Sequence, residues 1–403
     1  MDEQQTDVRQ GVEAFEGALS SRERFRRYMH YQQVDWVPHM EFGYWDALKE
    51  SWVAEGKLPA SFANDQGAVS DVDVEMFFGC EHTVGFGPRL GAGPGRPIEV
   101  VKETEDKIIF RDGLGVLSEQ TKGSGRSIPH FLEFPVRDRE SWVRFRDEFL
   151  NVDDEWRRLS EEDLKRWMAV SRTSDRTVVA GFGSFIGWIR NWVGFEGLAL
   201  MAYDDPDLLE EMVAHVSDMA LKLLPPVLER VEFDAAGGWE DIAFNSGPLL
   251  SPDIFRRIIL PHMRPVIQLL RQHGVDVIWT DCDGNVNDLV PIWLEAGINC
   301  LFPAEIHAGT DVFRLRKEFG RDVLVRGGFD KLVLFDSKEA VLNELKRIEP
   351  LVAEGGYIPH VDHRCPGGVA FEMYQYYIWE KCHLLGMPSE RIREIPGLRE
   401  YPL

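Results

Sequence analysis

Residues 275–288 read VDVIWTDCDGNVND, and in them Asp281, Cys282 and Asp283 close an apolar run and precede a glycine. Alternation along a strand puts Asp281 and Asp283 on one side of its end and Cys282 on the other. Two carboxylates held that close repel each other unless a proton, a cation or a basic side chain sits between them. The spacing therefore points to acid–base or metal chemistry. Its bland counterpart is an Asp-Gly turn with an aspartate capping a helix expected over 285–294. Other apolar runs end in the same residue types: Glu41, then Trp239, Glu240 and Asp241, then Glu305 and His307, then Asp330 and Lys331, then His360, Asp362, His363 and Cys365. Carboxylates and histidines gathered at strand ends are what a metal site or a general acid–base pair needs. Taken singly, each is more often a cap or an ion-pair partner.

The elements that must position these residues follow a rhythm. From residue 177 onward, short apolar strands alternate with loops and helices, including helices expected over 207–230, which carries Pro225 and Pro226, and over 252–273. Repeated units of this kind predict a parallel sheet with helices outside. Their number, and the lack of a GxGxxG turn opening a helix, favour an α/β fold of the (β/α)8 TIM barrel type over a dinucleotide-binding sheet. In such a barrel the residues after each strand line one mouth, where the polar groups above would meet. A basic helix is expected over 21–31 and a first strand over 36–42, with Glu41, Tyr44 and Trp45 at its end. Three alternating runs at 99–104, 108–111 and 115–120 predict a small β-meander inserted at about residues 97–121. Residues 137–168 are charged and helical, with Trp142, Phe145, Phe149 and Trp156 as a packing stripe. The domain reading is a tail at 1–20, one barrel over 21–395 and a second tail at 396–403.

Composition bounds the function. The 403 residues are 44% hydrophobic, with 24 Phe and 12 Trp, enough for a large core. No run of 18 apolar residues exists, so no membrane span is expected. The start, MDEQQTDVRQGVEAFEG, is acidic and unlike a signal peptide. Cysteines at 80, 282, 300, 365 and 382 lack CxxC spacing, which predicts a reduced, cytoplasmic setting. A net charge of −23 argues against nucleic acid and anionic membrane as partners, and suits a highly anionic substrate poorly.

The segments WEDIAFNSGPLLSP, HGVDVIWTDCDGNVNDLVPIWLEAGINC, RGGFDK and GGYIPHVDHRCPGGVAFEMYQYY, with RERFRRYMHYQQVDWVP ahead of them, resemble the uroporphyrinogen decarboxylase superfamily in its divergent branch, over roughly residues 20–395. The resemblance implies a TIM barrel and one of two activities: the cofactor-free decarboxylation of haem synthesis, or methyl exchange with a corrinoid protein, in several members with zinc. The arginine-rich motif by which the decarboxylase grips its substrate is missing, because the matching strand reads WVPHMEFGYW with Glu41. The His-x-Cys-Gly zinc motif of the thiol-methylating members becomes Asp281-Cys282-Asp283-Gly284. His363 falls near their second cysteine, with Cys365 two residues on. Both sulfur ligands are thus replaced, and the set Asp281, Asp283, His363 and Glu240 implies either a harder zinc acting as a Lewis acid on oxygen or two aspartates sharing a proton. The expected function is transfer of a methyl group from a small methylated, O-methyl substrate to a separate corrinoid protein, since no DxHxxG signature for cobalamin is present. Glu41, Tyr44, Trp45, Trp239 and Lys331 are the expected substrate contacts, with Trp188 and Trp192 as further aromatic candidates. The alternatives are decarboxylation of a small acid, anchored by Lys331 or Arg326, and a non-catalytic binding barrel.

Overall fold

The computed structural model describes residues 18–65, 67–122, 128–399 and 401. Most of the tail placed at 1–20, and the end of the one placed at 396–403, lie outside the described residues. In chain order the strands are β1 (Thr83–Phe86), β2 (Glu99–Glu103), β3 (Lys107–Arg111), β4 (Leu117–Thr121), β5 (His130–Glu133), β6 (Thr177–Gly183), β7 (Ala235–Trp239), β8 (Ala243–Phe244), β9 (Gly247–Pro248), β10 (Ile278–Asp281), β11 (Cys300–Ala304), β12 (Leu324–Phe329) and β13 (Tyr357–Val361). Among the described residues, seven of them form one parallel sheet in the order β1-β6-β7-β10-β11-β12-β13. Helices follow these strands in the chain, as parallel connections require.

The expected first strand over 36–42 takes the eighth place without becoming a regular strand. The His39 carbonyl accepts from the Glu81 amide, 2.6 Å, just ahead of β1, and the Gly43 carbonyl accepts from the Cys365 amide, 2.9 Å, just after β13. Tyr44 and Cys365 form an isolated parallel bridge. The segment therefore bridges the two edges of the curled sheet. Its polar anchor lies below it: Lys381 donates to Glu41 at 2.6 Å and to the Met40 carbonyl at 2.7 Å, and the Tyr377 hydroxyl donates to Glu41 at 2.8 Å.

Two strands show why this sheet was legible as apolar runs. All six residues of β12 and all five of β13 are buried, as strands covered on both faces must be. The insert is larger than 97–121: β2–β5 make a four-stranded antiparallel sheet reaching Glu133, and β2 and β5 are exposed throughout. The charged stretch at 137–168 is two helices, Arg139–Phe149 and Glu161–Thr173. Trp142, Phe145 and Phe149 are buried as expected. The helix expected over 207–230 breaks before Pro225 into Pro206–Leu223 and Pro225–Leu228, because a proline removes an amide donor from the ladder.

Candidate active site at the strand ends

The DCDG stretch is shaped by its glycine. Gly284 has φ +91°, and a Cβ there would stand 2.6 Å from the Ala243 main chain, so the turn admits no side chain. Its amide donates to Glu305 at 2.8 Å, and its carbonyl accepts from the Thr310 hydroxyl at 2.9 Å. Asp281 is the last residue of β10, level with Trp239 on β7 and Phe302 on β11. Its carbonyl accepts from the amides of Glu240 and Asp241, at 2.8 and 3.3 Å. Burial raises its carboxyl to about 7, aided by the Asp283 and Asp241 carboxylates and opposed by His363 and Arg326. Asp281 therefore keeps a proton near neutrality.

Asp283 accepts from His363 Nε2 at 3.1 Å, and its other oxygen is buried without a partner among the described residues. Burial pulls the His363 imidazole down, but the hydrogen bond and charge of Asp283 outweigh it, and its pKa is raised. The ring lies 5.6 Å from Phe42 and 6.1 Å from Trp45, centroid to centroid. The structure thus joins Asp283 to His363 and sets Asp281 within their electrostatic reach.

Glu240 does not join them. Its carboxylate accepts from the amides of Phe185, Ile186 and Gly187 at 2.8–2.9 Å and from the Ser184 hydroxyl at 3.3 Å, so it clamps the turn that opens the helix Gly187–Val193. The fit is close enough that a Cβ at Gly187 would meet the Glu240 carbonyl at 2.1 Å. Cys282 and Cys365 are buried thiols pushed well up by burial. Among the described residues, no three His, Cys, Asp or Glu side chains are grouped to hold a metal ion. The donor set expected for zinc therefore does not fit. Glu240 is spent on four donors, and Asp283 and His363 are spent on each other.

Of the expected substrate contacts, two stand at the mouth. Trp45 is 43% exposed, and Trp239 ends β7 beneath the Arg190 guanidinium, 5.4 Å from its ring centroid. The others are structural. Glu41 is the buried partner of Lys381. Tyr44 is fully buried and bonded to the Tyr374 hydroxyl at 2.9 Å. Lys331 is tied to Asp362 at 3.0 Å and to Glu305 at 3.3 Å, so its charge is already matched. Trp192 packs against Phe145 and Trp142 in the core. Phe42 and Phe302 are lining groups absent from the sequence reading, whereas Asp241 is among the strand-end residues named there. Only Asp241 carries a local signal, an acidic residue in the turn after a strand, and it adopts φ +46° here.

The family profile described as "Uroporphyrinogen decarboxylase (URO-D)" matches residues 175–379, which contain β6 through β13 and the residues Glu240, Asp281, Asp283 and His363. A curated relative, "Uroporphyrinogen decarboxylase" from Aromatoleum aromaticum, is 27% identical over 175 residues, covering 41% of this chain and 45% of the relative's own length. The matched segment thus spans less than half of that protein. A solved "methyltransferase from Methanosarcina mazei" superposes with a TM-score of 0.52 at 14% identity, covering 93% of this chain and 98% of that one, a likeness of fold. Among the described residues no helix is long and apolar enough to cross a membrane.

Proposed function

The chain belongs to the uroporphyrinogen decarboxylase family, and on that premise we propose that it is a methyltransferase, taking a methyl group from a small O-methylated substrate and passing it to a corrinoid carried by a separate protein. The observation that carries this reading is Asp281, a carboxyl at the barrel mouth raised to about 7 and so still protonated where most aspartates are charged. An ether releases its methyl group readily only if the oxygen left behind is neutralised as it departs. Asp281 gives its proton to that oxygen, the C–O bond breaks, and the methyl carbon bonds to the electron pair that the reduced corrinoid supplies. An alcohol or phenol and the Asp281 carboxylate remain. The charge of His363 stabilises that carboxylate, and solvent returns the proton. No step is assigned to zinc, since the donor set does not fit one.

Support for a protein partner comes from the rim. Trp45, Phe244, Leu332 and Phe335 follow strand ends and are 39–50% exposed. Large apolar side chains exposed around a polar mouth suit docking of another protein there. A second reading, decarboxylation of a small acid, is favoured by the buried Arg326. There the same Asp281 proton would go to the carbon that loses carbon dioxide.

The test mixes the protein with a reduced corrinoid protein and a panel of methyl ethers, and follows the corrinoid's visible spectrum. Methylation of the corrinoid, with the demethylated product in equal amount, is the expected result. Carbon dioxide release without corrinoid would replace this reading with the second one.

A further inference from the structure

Arg326 is the third residue of β12, in a strand buried along its whole length. Its guanidinium carbon lies 4.3 Å from the Phe302 ring centroid and 4.8 Å from that of Trp279. Its Nε–H is sealed from solvent and meets no acceptor among the described residues. Arg22 Nη2 and Arg316 Nε are also unpartnered among the described residues, but those side chains are answered at their other nitrogens: Arg22 by Asp234 and Arg316 by the carbonyls of Gly355 and Gly356, as Arg24 is by Asp35 and Glu81 and Arg157 by main-chain carbonyls. Two carboxylates, Asp281 and Glu75, act on Arg326, both only through space. An arginine does not shed its charge, so an unmatched one inside a barrel is costly unless something that binds there matches it.

A second unmet group lies against the same ring, Phe302. His360, fully buried on β13, uses Nδ1 on the Val361 carbonyl at 2.7 Å, while Nε2 has no partner among the described residues. Burial and the Arg326 charge keep this imidazole neutral, so Nε2 is an open acceptor. Its ring stands 5.8 Å from Phe302 and 6.1 Å from Phe42, centroid to centroid.

We infer that the substrate is a flat aromatic carboxylate bearing the methyl ether, its carboxylate held by Arg326, its ring against Phe302 and Trp279, and its ether oxygen toward Asp281. This rests on the reading of the mouth as the substrate site. His360 Nε2 accepts from a hydroxyl or water that enters with the acid. A single carboxylate matched by one guanidinium suits a chain of net charge −23, where many carboxylates would not. Binding also sets the chemistry: the carboxylate cancels the pull of Arg326 on the Asp281 proton, so Asp281 holds it until the leaving oxygen takes it.

The test compares 2-, 3- and 4-methoxybenzoate with the matching methoxybenzamides, which keep the shape and lose the charge, by titration of the protein's tryptophan fluorescence. At least one benzoate should bind on the order of 10- to 100-fold tighter than its amide, and Arg326→Met should erase that difference. Arg326→Met should also leave the melting temperature unchanged or raised, because an unmatched buried charge has gone. Amides binding as well as acids, acids binding equally to Arg326→Met, or no benzoate binding at all would each overturn the inference. The outcomes separate the two ideas. Acid-over-amide preference without methyl transfer keeps the anchor and rejects the proposed function. Methyl transfer from neutral ethers, undiminished in Arg326→Met, keeps the function and rejects the anchor.

Discussion

Asp281→Asn is expected to lower turnover by about 10²- to 10⁴-fold, the usual contribution of a positioned general acid, while leaving substrate affinity nearly unchanged. The asymmetry follows from when the proton matters. It meets charge that exists only as the C–O bond breaks, so its loss is felt in kcat rather than in binding. In the native protein the rate should fall as pH rises through about 7, where Asp281 ionises, and in the asparagine variant that limb should vanish. Stability moves in the opposite sense to an ordinary ion-paired aspartate. The folded carboxyl titrates at about 7 and the unfolded one near 3.8, so the folded state holds the extra proton between them. Its contribution to stability therefore declines as pH climbs from about 4 to about 7, by up to roughly 4 kcal/mol. Asp281→Asn removes that decline and should be as stable as the native protein at pH 7, or more so. Urea unfolding at pH 5 and pH 8, beside a pH–rate profile, reads both effects. A variant that loses activity together with stability would make Asp281 a structural residue.

Lys381→Met is expected to destabilise the fold by roughly 3–5 kcal/mol. It leaves Glu41 in a site with side-chain exposures of 0% and 1% for the pair, where the carboxylate must either stay charged without its partner or take up a proton. Main-chain bonds still tie the segment at 37–44 to Leu385, Glu81 and Cys365, but the buried charge sits on it, so the seam between β1 and β13 should open first. Glu41→Gln combined with Lys381→Met should recover most of the loss, because the charges leave together. Equal destabilisation by the single and double variants, read by urea midpoint, would show that the lysine's stem and not its charge holds the seam.

The barrel was legible because a strand buried on both faces must be nearly all apolar, and β12 and β13 are. The acidic site was legible in part, because Asp281 and Asp283 announce themselves by spacing and Gly284 by the turn it permits. What spacing leaves open is whether a polar residue at a strand end is already satisfied. Glu240 and Asp281 look alike in sequence, yet the first is held by amides 53–55 residues away and the second by no such donors. Glu41 looked like a mouth residue, and its lysine lies 340 residues downstream. Lys331 looked like the cationic anchor, but Glu305 and Asp362 reach it first. Arg326 carried the better signal, a charge inside a run otherwise made for burial. The first strand escaped regular pairing because it is held by a few main-chain bonds at its two ends, a feature with no periodic signature.

The most direct test of the account is the titration of Asp281 itself, followed by carbon-13 NMR of its side-chain carboxyl in aspartate-labelled protein and assigned by the signal missing in Asp281→Asn. The account predicts a midpoint near pH 7, with the carboxyl protonated at pH 6. A midpoint near the ordinary 3.8 would mean that the mouth holds a plain carboxylate, and would contradict it.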